Sequence, residues 1–593
     1  METKAELMFE VTWEACNKVG GIYTVVKSKA AAMAEQYKQG YYVIGPYFPL
    51  KAQGEFEEKP TPEAFREPFD RLKSQGIVCR YGNWLIKGEP QTILVDFSGF
   101  TSRKDQIKTE FWNSFKIDSL NTEYYSYDEP IIWGYACGMV IEVIAAGKKA
   151  VAQCHEWLAG GALLYLKMKS APIATVFTTH ATMLGRTLAS SNDDLYAVLN
   201  SIDPDKEAYS HGIQAKHLTE VACARNADVF TTVSEITAIE AEKILGRKAD
   251  FVLANGLDIN KFPTFEEASI KHQLYKRKIK EFILYYFFPY YSFDLDNTLI
   301  YFLCGRYEFR DKGVDVFIKA LAKMNQQLKS EKSSQTIVAF FWIPANIRGI
   351  KPELLENKTY YEDIREQIHD SQEEIQSSII YRTISQRKWT DADILAQDEL
   401  FDLKKKVMKL TRPGKPPLST HDLFDEPQDP ILGLCKSLGL NNEKEDRVKI
   451  VFYPIYLTGA DRLLDLGYYE AMQGSHLGVF PSYYEPWGYT PLEAAALGVS
   501  SVTTDLAGFG RFIRQISVQK KTPGIYVLDR FNKGDDEIVQ GLSDIMLRFA
   551  TLTKELRIKN KIEAQHLAGH CDWRNLSRNY FSAHNEAIKR RLG

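Results

Sequence analysis

The sequence predicts an α/β protein in which two doubly wound, Rossmann-like domains face each other across a cleft. Its 593 residues exceed what one hydrophobic core accommodates, so two or more domains are expected. Short apolar runs suited to buried parallel strands alternate with helix-like runs over the first part of the chain, and the alternation begins again near Thr298. Glycines and charged residues follow several of these runs, at the sheet edge where α/β proteins bind ligands.

The candidate strands are short and rich in β-branched and aromatic residues. Those of the first set are Met8–Trp13, Tyr41–Ile44, Thr92–Phe97, Ala150–Cys154, Ile173–Thr178, Val229–Val233 and Phe251–Leu253. Those of the second set are Thr298–Leu303, Ile337–Phe341, Val448–Phe452, Leu477–Phe480, Ser501–Thr503 and Ile525–Leu528. The charged, then aromatic segment Thr264–Phe293 is interpreted as the crossing between the domains.

We therefore predict a first domain over residues 1–270, a second over 271–571 and a last helical segment over 572–593. Residues 352–425 interrupt the alternation, because Glu353–Arg382 and Asp391–Lys409 have the composition of long charged helices. A helical hairpin inserted in an α/β domain must cover its apolar stripe. A partner subunit or the hairpin's own domain can supply that cover.

Composition excludes several classes of function. The formal net charge is −3 and no polybasic block is present, which argues against nucleic acid and membrane surfaces as partners. No basic-then-apolar leader and no run of ~20 apolar residues is found. The eight cysteines are scattered without a C-x-x-C pair, so we expect a cytoplasmic protein without structural zinc.

The stretch Pro481–Glu493 is predicted to be a loop followed by a helix. Glu485 falls in the loop and Glu493 on the first helical turns, while Gly488 and Thr490 flank the helix start. A helix N-terminus offers free N–H groups to a phosphate. Two acids beside such a site suggest sugar-nucleotide chemistry. Two solvated acids flanking a turn between a strand and a helix would give the same sequence pattern.

Other candidate ligand groups also follow predicted strands. Lys18, Gly20 and Gly21 come after the first strand, where glycines permit close approach of a ligand or simply make a tight turn. His180 ends another strand, and Arg186 follows in the same loop with a guanidinium suited to phosphate or sugar oxygens.

A pair of cations follows the first strand of the second domain. Arg306 and Lys312 share one loop there and could neutralise a diphosphate leaving group without a metal. Solvated loop cations are the alternative.

Asp294 and Asp296 match the D-x-D-x-T start of haloacid-dehalogenase-type phosphatases. That motif ends a strand, whereas these aspartates precede one, so they should lie at the end remote from the cleft. We reject the phosphatase interpretation on this ground.

Taken together, the motifs resemble the eukaryotic-type glycogen synthases of glycosyltransferase family 3 over essentially the whole chain. The matching blocks are collinear: Lys18–Gly21, His155–Gly160, Thr179–Arg186, Phe230–Ala241, Asn255–Leu257, Gly305–Phe309 and Pro481–Thr504. The resemblance implies a GT-B fold and retaining transfer of glucose from UDP-glucose to the 4-OH of a glycogen chain end. It implies neither a metal nor another cofactor.

The resemblance also implies roles for individual residues. Glu485 corresponds to the acid at the reaction centre and Glu493 to the ribose-binding partner, with Tyr468 stacked on uracil. Arg186, Arg306 and Lys312 correspond to a diphosphate clamp, and His180 to a group near the glucose 6-OH. The remaining expected donor-site residues are Lys18, Gly20, Gly21, Asn255, Trp487, Gly488 and Thr490.

The helical insertion resembles the family's oligomerisation element, which implies a homotetramer or homodimer, and the last helix resembles the one that returns to the first domain. Retention requires either a covalent intermediate or front-face transfer, and we favour the latter because no carboxylate nucleophile is identifiable. The alternative functions are a catalytically silent glucan- or nucleotide-binding scaffold, or a retaining glucosyltransferase with another donor or acceptor.

The sequence departs from the family most where glucose-6-phosphate is expected to bind. Arg557, Lys559 and Lys561 remain, but Ile562, Glu563 and His566 replace expected arginines, and lysine lacks the bidentate grip of arginine. His272 and His476 match positions near that site. We expect weak or absent activation. The phosphorylatable extensions are also missing, so covalent control is not expected and glycogenin is a doubtful partner.

Overall fold

Parallel β-sheet flanked by helices makes up most of the chain in a computed structural model, which describes residues 3–191, 194–386, 397–517 and 521–593. Within these ranges the strands form a sheet of nine, a sheet of six and a separate antiparallel pair. The strands are β1 (Leu7–Val11), β2 (Tyr41–Pro46), β3 (Phe56–Glu58), β4 (Val78–Trp84), β5 (Gln91–Asp96), β6 (Ala150–His155), β7 (Ala174–Thr179), β8 (Val229–Thr232), β9 (Phe251–Val252), β10 (Thr298–Cys304), β11 (Thr336–Trp342), β12 (Ile347–Ile350), β13 (His421–Leu423), β14 (Val448–Phe452), β15 (Leu477–Val479), β16 (Ser500–Thr504) and β17 (Ile525–Leu528).

The helices connect these strands and cover both faces of the two large sheets. They are α1 (Gly21–Tyr37), α2 (Pro49–Ala52), α3 (Glu63–Lys73), α4 (Lys104–Phe115), α5 (Glu129–Ile144), α6 (Gly160–Met168), α7 (Met183–Ser190), α8 (Leu195–Val198), α9 (Pro204–Ser210), α10 (Gln214–Asn226), α11 (Glu235–Ile244), α12 (Phe265–Phe287), α13 (Val314–Ser330), α14 (Pro352–Asp370), α15 (Gln372–Ile384), α16 (Gln397–Leu410), α17 (Pro430–Ser437), α18 (Tyr468–Gly474), α19 (Tyr489–Ala496), α20 (Gly508–Ile516), α21 (Asp535–Ala550), α22 (Lys554–Gly569) and α23 (Trp573–Leu592).

The first sheet has the strand order β3-β4-β5-β2-β1-β6-β7-β8-β9. All pairs from β5 to β9 are parallel, which confirms the doubly wound prediction for this half. Successive residues of β1 point to opposite faces, so Met8 packs toward α1 and α23 while Phe9 packs toward α5 and α6. Both faces are therefore buried.

The antiparallel edge of this sheet, β3 and β4, was not predicted. β3 spans only three residues, and β4 contains Gly82 and charged Arg80, so neither has the apolar alternation that identifies a strand. Hydrogen bonding to the adjacent strands, rather than local sequence preference, decides the conformation of β3 and β4.

The second sheet is parallel throughout, in the order β14-β11-β10-β15-β16-β17. Tyr301 faces a core shared with α13 and α21, and Phe302 faces a core shared with α12 and α18. The predicted strands of both sets agree with the structure to within two residues at either end. Asp294 and Asp296 precede β10, as expected, and Asp296 forms a 3.0 Å ion pair with Lys280.

The predicted crossing between the domains is largely one long helix, α12. Thr264 caps it, since its hydroxyl accepts from the Glu267 N–H while the Glu267 carboxylate accepts from the Thr264 N–H. The helix packs against α18 and α14. Further along, α23 packs on β6, β7 and α1, and Trp573 donates a 2.7 Å hydrogen bond to Ser28.

The insertion consists of α14, α15 and α16, and its base is closed by the β12–β13 pair. The prediction of one helix over Glu353–Arg382 was wrong, because the segment divides at Ser371. The Ser371 hydroxyl bonds back to the Gln367 carbonyl at 3.2 Å, a contact that bends helices. The predicted helix Asp391–Lys409 begins outside the described residues, and α16 is its described part.

Candidate functional site

The loop between β15 and α19 is held by hydrogen bonds from the first residues of α20. The Gly508 N–H donates to the Glu485 carbonyl at 3.1 Å, and the Phe509 N–H donates to the Trp487 carbonyl at 2.7 Å. Gly488 has φ +108°, a left-handed conformation that a side chain would strain, and it directly precedes α19. The loop is therefore a fixed platform.

Lys312 and Glu485 form the central ion pair of this platform. The Lys312 ammonium lies 2.6 Å from Oε2 of Glu485, and both side chains are about four-fifths buried. Their loops touch directly, since a Cβ on Gly313 would lie 2.0 Å from the Pro481 carbonyl oxygen. Only glycine at position 313 permits the two loops to approach this closely. The approach brings the Lys312 ammonium into contact with the Glu485 carboxylate.

Glu493 and Tyr468 are also brought together. The Tyr468 hydroxyl donates to Oε2 of Glu493 at 3.3 Å, and the Tyr469 hydroxyl donates to Oε1 at 2.9 Å. Burial raises the pKa of Glu493 to about 7, although both hydrogen bonds oppose the shift. The acid and the ring predicted to hold a nucleoside therefore form one unit, and Thr490 is half-buried at the adjacent helix start.

Two predicted donor-site residues lie differently from the others. Arg306 is exposed and pairs with Glu308 at 2.9 Å rather than approaching Lys312. Trp487 is 4% exposed, and its ring packs against Phe509 and Phe512. The tryptophan side chain thus packs the loop against α20.

His180 and Arg186 reach the cleft from the loop and helix that follow β7. Nε2 of His180 lies 3.0 Å from Nδ1 of His155, and the His180 N–H donates to Glu156 at 2.8 Å. Burial lowers the pKa of Arg186, but its interactions with Tyr484, Glu156, Glu220 and Glu308 outweigh burial and raise it.

Three buried carboxyl groups behind this loop were missed by the sequence reasoning. Burial raises the pKa of Glu156 and of Glu240 to about 7, and raises that of Glu220 well above its usual value. Each accepts a backbone hydrogen bond from the segment His180–Met183. Charged residues inside an otherwise apolar strand–helix pattern were the available signal.

Direct contacts connect the two halves around this site. The Tyr484 hydroxyl donates to Glu240 at 3.1 Å, and the Tyr483 hydroxyl donates to Asp194 at 2.7 Å. A 2.6 Å ion pair between Arg511 and Glu235 adds a charged contact. The platform carrying Glu485 is thereby fixed relative to the loop carrying His180 and Arg186.

The remaining first-half candidates line the start of α1 and the segment after β9. Lys18, Gly20 and Gly21 are exposed, and Oε2 of Glu14 accepts from the Gly20 and Tyr23 N–H groups at 2.8 Å. A carboxylate thus occupies the N-terminus of α1, beside the glycines that were predicted either to admit a ligand or to make a tight turn. Asn255 is buried, and its Oδ1 has no hydrogen-bond partner among the described residues.

A separate cavity of about 770 Å³ collects most of the predicted regulatory residues. His272, His476, Arg557 and Lys561 line it, whereas Lys559 pairs with Glu555 at 2.7 Å and lies elsewhere. Burial, with Lys276 and Arg557 nearby, lowers the pKa of Lys561 to about 7. The cavity wall also contains cations not predicted for it: Lys276, Arg277, Lys280 and Lys554.

Two features are absent from the described residues, a metal-binding cluster and a membrane-spanning helix. No group of three or more His, Cys, Asp or Glu side chains there is arranged to hold a metal ion. No helix in those ranges combines the length and apolar character that crossing a membrane requires.

Comparison with known proteins gives concordant matches over the whole chain. A family model described as glycogen synthase matches residues 10–592. The chain is 38% identical over 588 residues to liver glycogen [starch] synthase of Mus musculus, covering 98% of this chain and 83% of that protein. It is also 38% identical over 609 residues to glycogen [starch] synthase isoform 2 of Saccharomyces cerevisiae, covering 98% and 86%.

Among solved structures, the catalytic domain of starch synthase IV from Arabidopsis thaliana has a TM-score of 0.52 with 13% identity. The match covers 99% of this chain and 100% of that one. At this identity the likeness concerns the fold alone, which is of the GT-B type.

Proposed function

Since this chain belongs to the glycogen synthase family, we propose that it transfers glucose from UDP-glucose to the 4-OH at the end of an α-1,4-glucan, with retention of configuration. It is a glycosyltransferase that acts on glucan. The observation that carries the finer proposal is the Lys312–Glu485 ion pair, set on a rigid loop and joined across the cleft to the segment bearing His180 and Arg186.

In this proposal the donor lies between the two halves. The unit of Glu493 and Tyr468 takes the nucleoside, and the start of α19 with Lys312 takes the diphosphate. Arg186 adds a second positive charge from the opposite wall. Fixed cations stabilise the charge that develops on the leaving diphosphate, so we propose that no metal is required.

Glu485 and His180 are assigned to the sugar. Glu485 lies beside Lys312, which is assigned to the diphosphate. Because the transferred glucose is attached to that diphosphate, this position suits an acid that acts at the glucose. His180 is buried and belongs to the opposite, first-half wall of the cleft. We propose front-face transfer, in which the leaving phosphate accepts the proton of the attacking hydroxyl.

The arrangement of charges argues against a silent scaffold. A protein that only bound nucleotide or glucan would have no need of Glu485, the acid assigned to the transferred glucose, beside the cation assigned to the diphosphate. UDP release from UDP-glucose, measured with and without glycogen and repeated with ADP-glucose, tests the proposal. Release that is independent of glycogen, or faster from ADP-glucose, would contradict the proposed acceptor or donor.

We further propose that the chain forms a homotetramer or homodimer through the helical insertion. Exposed apolar side chains on α14, α15 and α16 need cover, and they are Ile368, Ile379, Ile380, Ile384, Phe401, Val407 and Met408. Glycogenin is not proposed as a partner. All eight cysteines are unpaired, which supports a cytoplasmic location.

The cationic cavity is proposed to bind glucose-6-phosphate weakly or not at all as an activator. Most of its positive groups are lysines, which lack the bidentate geometry of arginine. Nδ1 of His476 is also not free for a ligand, since it accepts a 3.0 Å hydrogen bond from the Ile300 N–H.

A further inference from the structure

A chain of buried hydrogen bonds runs from His180 into the core of the first sheet. Nε2 of His180 lies 3.0 Å from Nδ1 of His155, and Nε2 of His155 lies 2.8 Å from Oε1 of Glu10. Lys29 approaches the same oxygen of Glu10 at 2.5 Å, and the Tyr41 hydroxyl donates to its other oxygen. Neither His155 nor Glu10 has an assigned role in the transfer.

Glu10 is an ionised carboxylate. Burial raises the pKa of Glu10, but the Lys29 ammonium and the hydrogen bond from His155 outweigh burial and hold it well below the usual range. An ionised carboxylate can only accept hydrogen bonds. The ring nitrogen of His155 that faces it must therefore carry a proton.

The position of this proton determines which nitrogens of the two histidine rings carry the others. Burial lowers the pKa of both His155 and His180, so each ring is neutral and carries one N–H. Because the proton of His155 is on Nε2, its Nδ1 is an acceptor. The 3.0 Å contact is then a hydrogen bond only if Nε2 of His180 is the donor. Nδ1 of His180 is left without a proton.

Among the described residues, none on the buried side offers His155 or His180 an alternative hydrogen-bond partner. The ring of Tyr580 from α23 covers Lys29 at 4.0 Å, and the nearby His584 is hydrogen bonded to Tyr37 and Gln153. If the proton of His180 moved to Nδ1, two unprotonated nitrogens would face each other at 3.0 Å in a buried position. The buried chain therefore selects one tautomer.

We infer that Glu10 and His155 are positioning residues that hold His180 as its Nε2–H tautomer, so that Nδ1 is presented as an acceptor to a hydroxyl of the bound sugar. No hydrogen-bond partner of that Nδ1 is found among the described residues. The use of this nitrogen on a sugar rests on the proposed function. The tautomer itself does not, because the enzyme's own side chains determine it.

The test compares two substitutions of His155. In His155→Gln, the amide N–H can still donate to Glu10 while the amide oxygen still accepts from His180, whereas His155→Leu removes both bonds. His584→Gln is the control, since it alters a buried histidine of the adjoining cluster that does not contact His180. Glu10→Gln is a further variant, which lets His155 adopt either tautomer.

Two readouts are needed. Nitrogen-15 correlation spectra of the full chain labelled at histidine, assigned with His180→Ala and recorded without donor, report which nitrogen of His180 carries the proton. Steady-state kinetics with UDP-glucose and glycogen report kcat, and thermal midpoints report folding. We expect Nε2–H in the native enzyme, in His155→Gln and in His584→Gln, and a mixture of tautomers in His155→Leu and Glu10→Gln.

In the kinetics, we expect His155→Leu to lose about 100-fold in kcat, as misplaced catalytic groups do, while His155→Gln restores most of it. A proton on Nδ1 of His180 in the native enzyme would overturn the inference. So would equal kcat in His155→Leu and His155→Gln at unchanged tautomer. Because the spectra need no substrate, an enzyme that shows Nε2–H but transfers no glucose would contradict the proposed function and not the tautomer.

Discussion

Nζ of Lys312 lies 2.6 Å from Oε2 of Glu485, although 173 residues separate them in the chain. The pair joins the loop after β10 to the loop after β15, two neighbouring strands of the second sheet. A cation that must serve a leaving diphosphate is thereby placed against the acid assigned to the sugar.

Glu485→Gln should retain donor binding and lose turnover. The amide keeps the size of the side chain but removes its charge, so we expect UDP affinity to change little while kcat falls by at least about 100-fold. Calorimetric titration with UDP and a glycogen-dependent rate assay provide the two measurements. Glu57→Gln, in an exposed ion pair with Lys59, is the matched control. Near-normal turnover would remove Glu485 from the mechanism.

Tyr484→Phe should weaken the contact across the cleft without unfolding the protein. The lost hydroxyl donates to Glu240 at 3.1 Å, and one such bond contributes about 1 kcal/mol. We therefore expect kcat/KM for the donor to fall roughly fivefold. Tyr526→Phe removes a hydroxyl bonded to Asn560 away from the cleft and should leave kcat/KM unchanged. Equal effects of the two substitutions would contradict a role for this hydrogen bond in holding the two halves of the site together.

Glu240→Gln should change how stability depends on pH. Burial raises the pKa of Glu240 from 4.5 to about 7 in the folded protein, so the folded state retains a proton that the unfolded state releases. This stabilising contribution is complete below pH 4.5 and is lost as pH rises through about 7. The amide of the Glu240→Gln variant does not titrate, so this contribution is absent from the variant.

Raising the pH from 5 to 8 should therefore destabilise the native protein relative to Glu240→Gln by on the order of 3 kcal/mol. Thermal midpoints of both proteins across that pH range measure the change. Glu57→Gln again serves as control and should keep a constant difference from the native protein. A pH-independent gap for Glu240→Gln would show that this carboxyl group does not titrate as described.

Charges on the helical insertion should dissociate the proposed oligomer. The side chain of Ile384 is 77% exposed and that of Met408 is 76% exposed, so burial of either in an interface would make a glutamate costly. Light scattering should give the single-chain mass of 67.7 kDa for Ile384→Glu combined with Met408→Glu. Leu50→Glu, at an 88% exposed site on α2, should leave the native mass. A native protein that is already monomeric would contradict the proposal.

Glucose-6-phosphate should produce little activation. The cavity that contains Lys561 and Arg557 supplies positive charge, but mostly as lysine ammonium groups. We expect the rate at low UDP-glucose to be nearly unchanged by sub-millimolar glucose-6-phosphate, with inorganic phosphate as the control anion. Many-fold activation that Arg557→Leu abolishes would overturn this expectation.

The sequence alone determined the parallel strands of the two large sheets and the loops that form the cleft. Buried parallel strands are apolar on both faces, so segments such as Ala174–Thr179 are recognisable locally, and glycines and charges after them indicate the carboxyl edge. Glu485, Glu493 and Lys312 were identified in this way. Their assigned roles came from the resemblance to a family and stay predictions.

Only the tertiary structure decided which of these side chains meet. Glu10 and His155 are 145 residues apart, and Glu240 and Tyr484 are 244 apart, so no local pattern connects them. The packing of Trp487, whose buried ring contacts Phe509 beneath the loop, also became visible only in the folded chain. Strand patterns depend on near neighbours, whereas hydrogen bonds and pKa shifts depend on distances and burial that exist only once the sheets are packed.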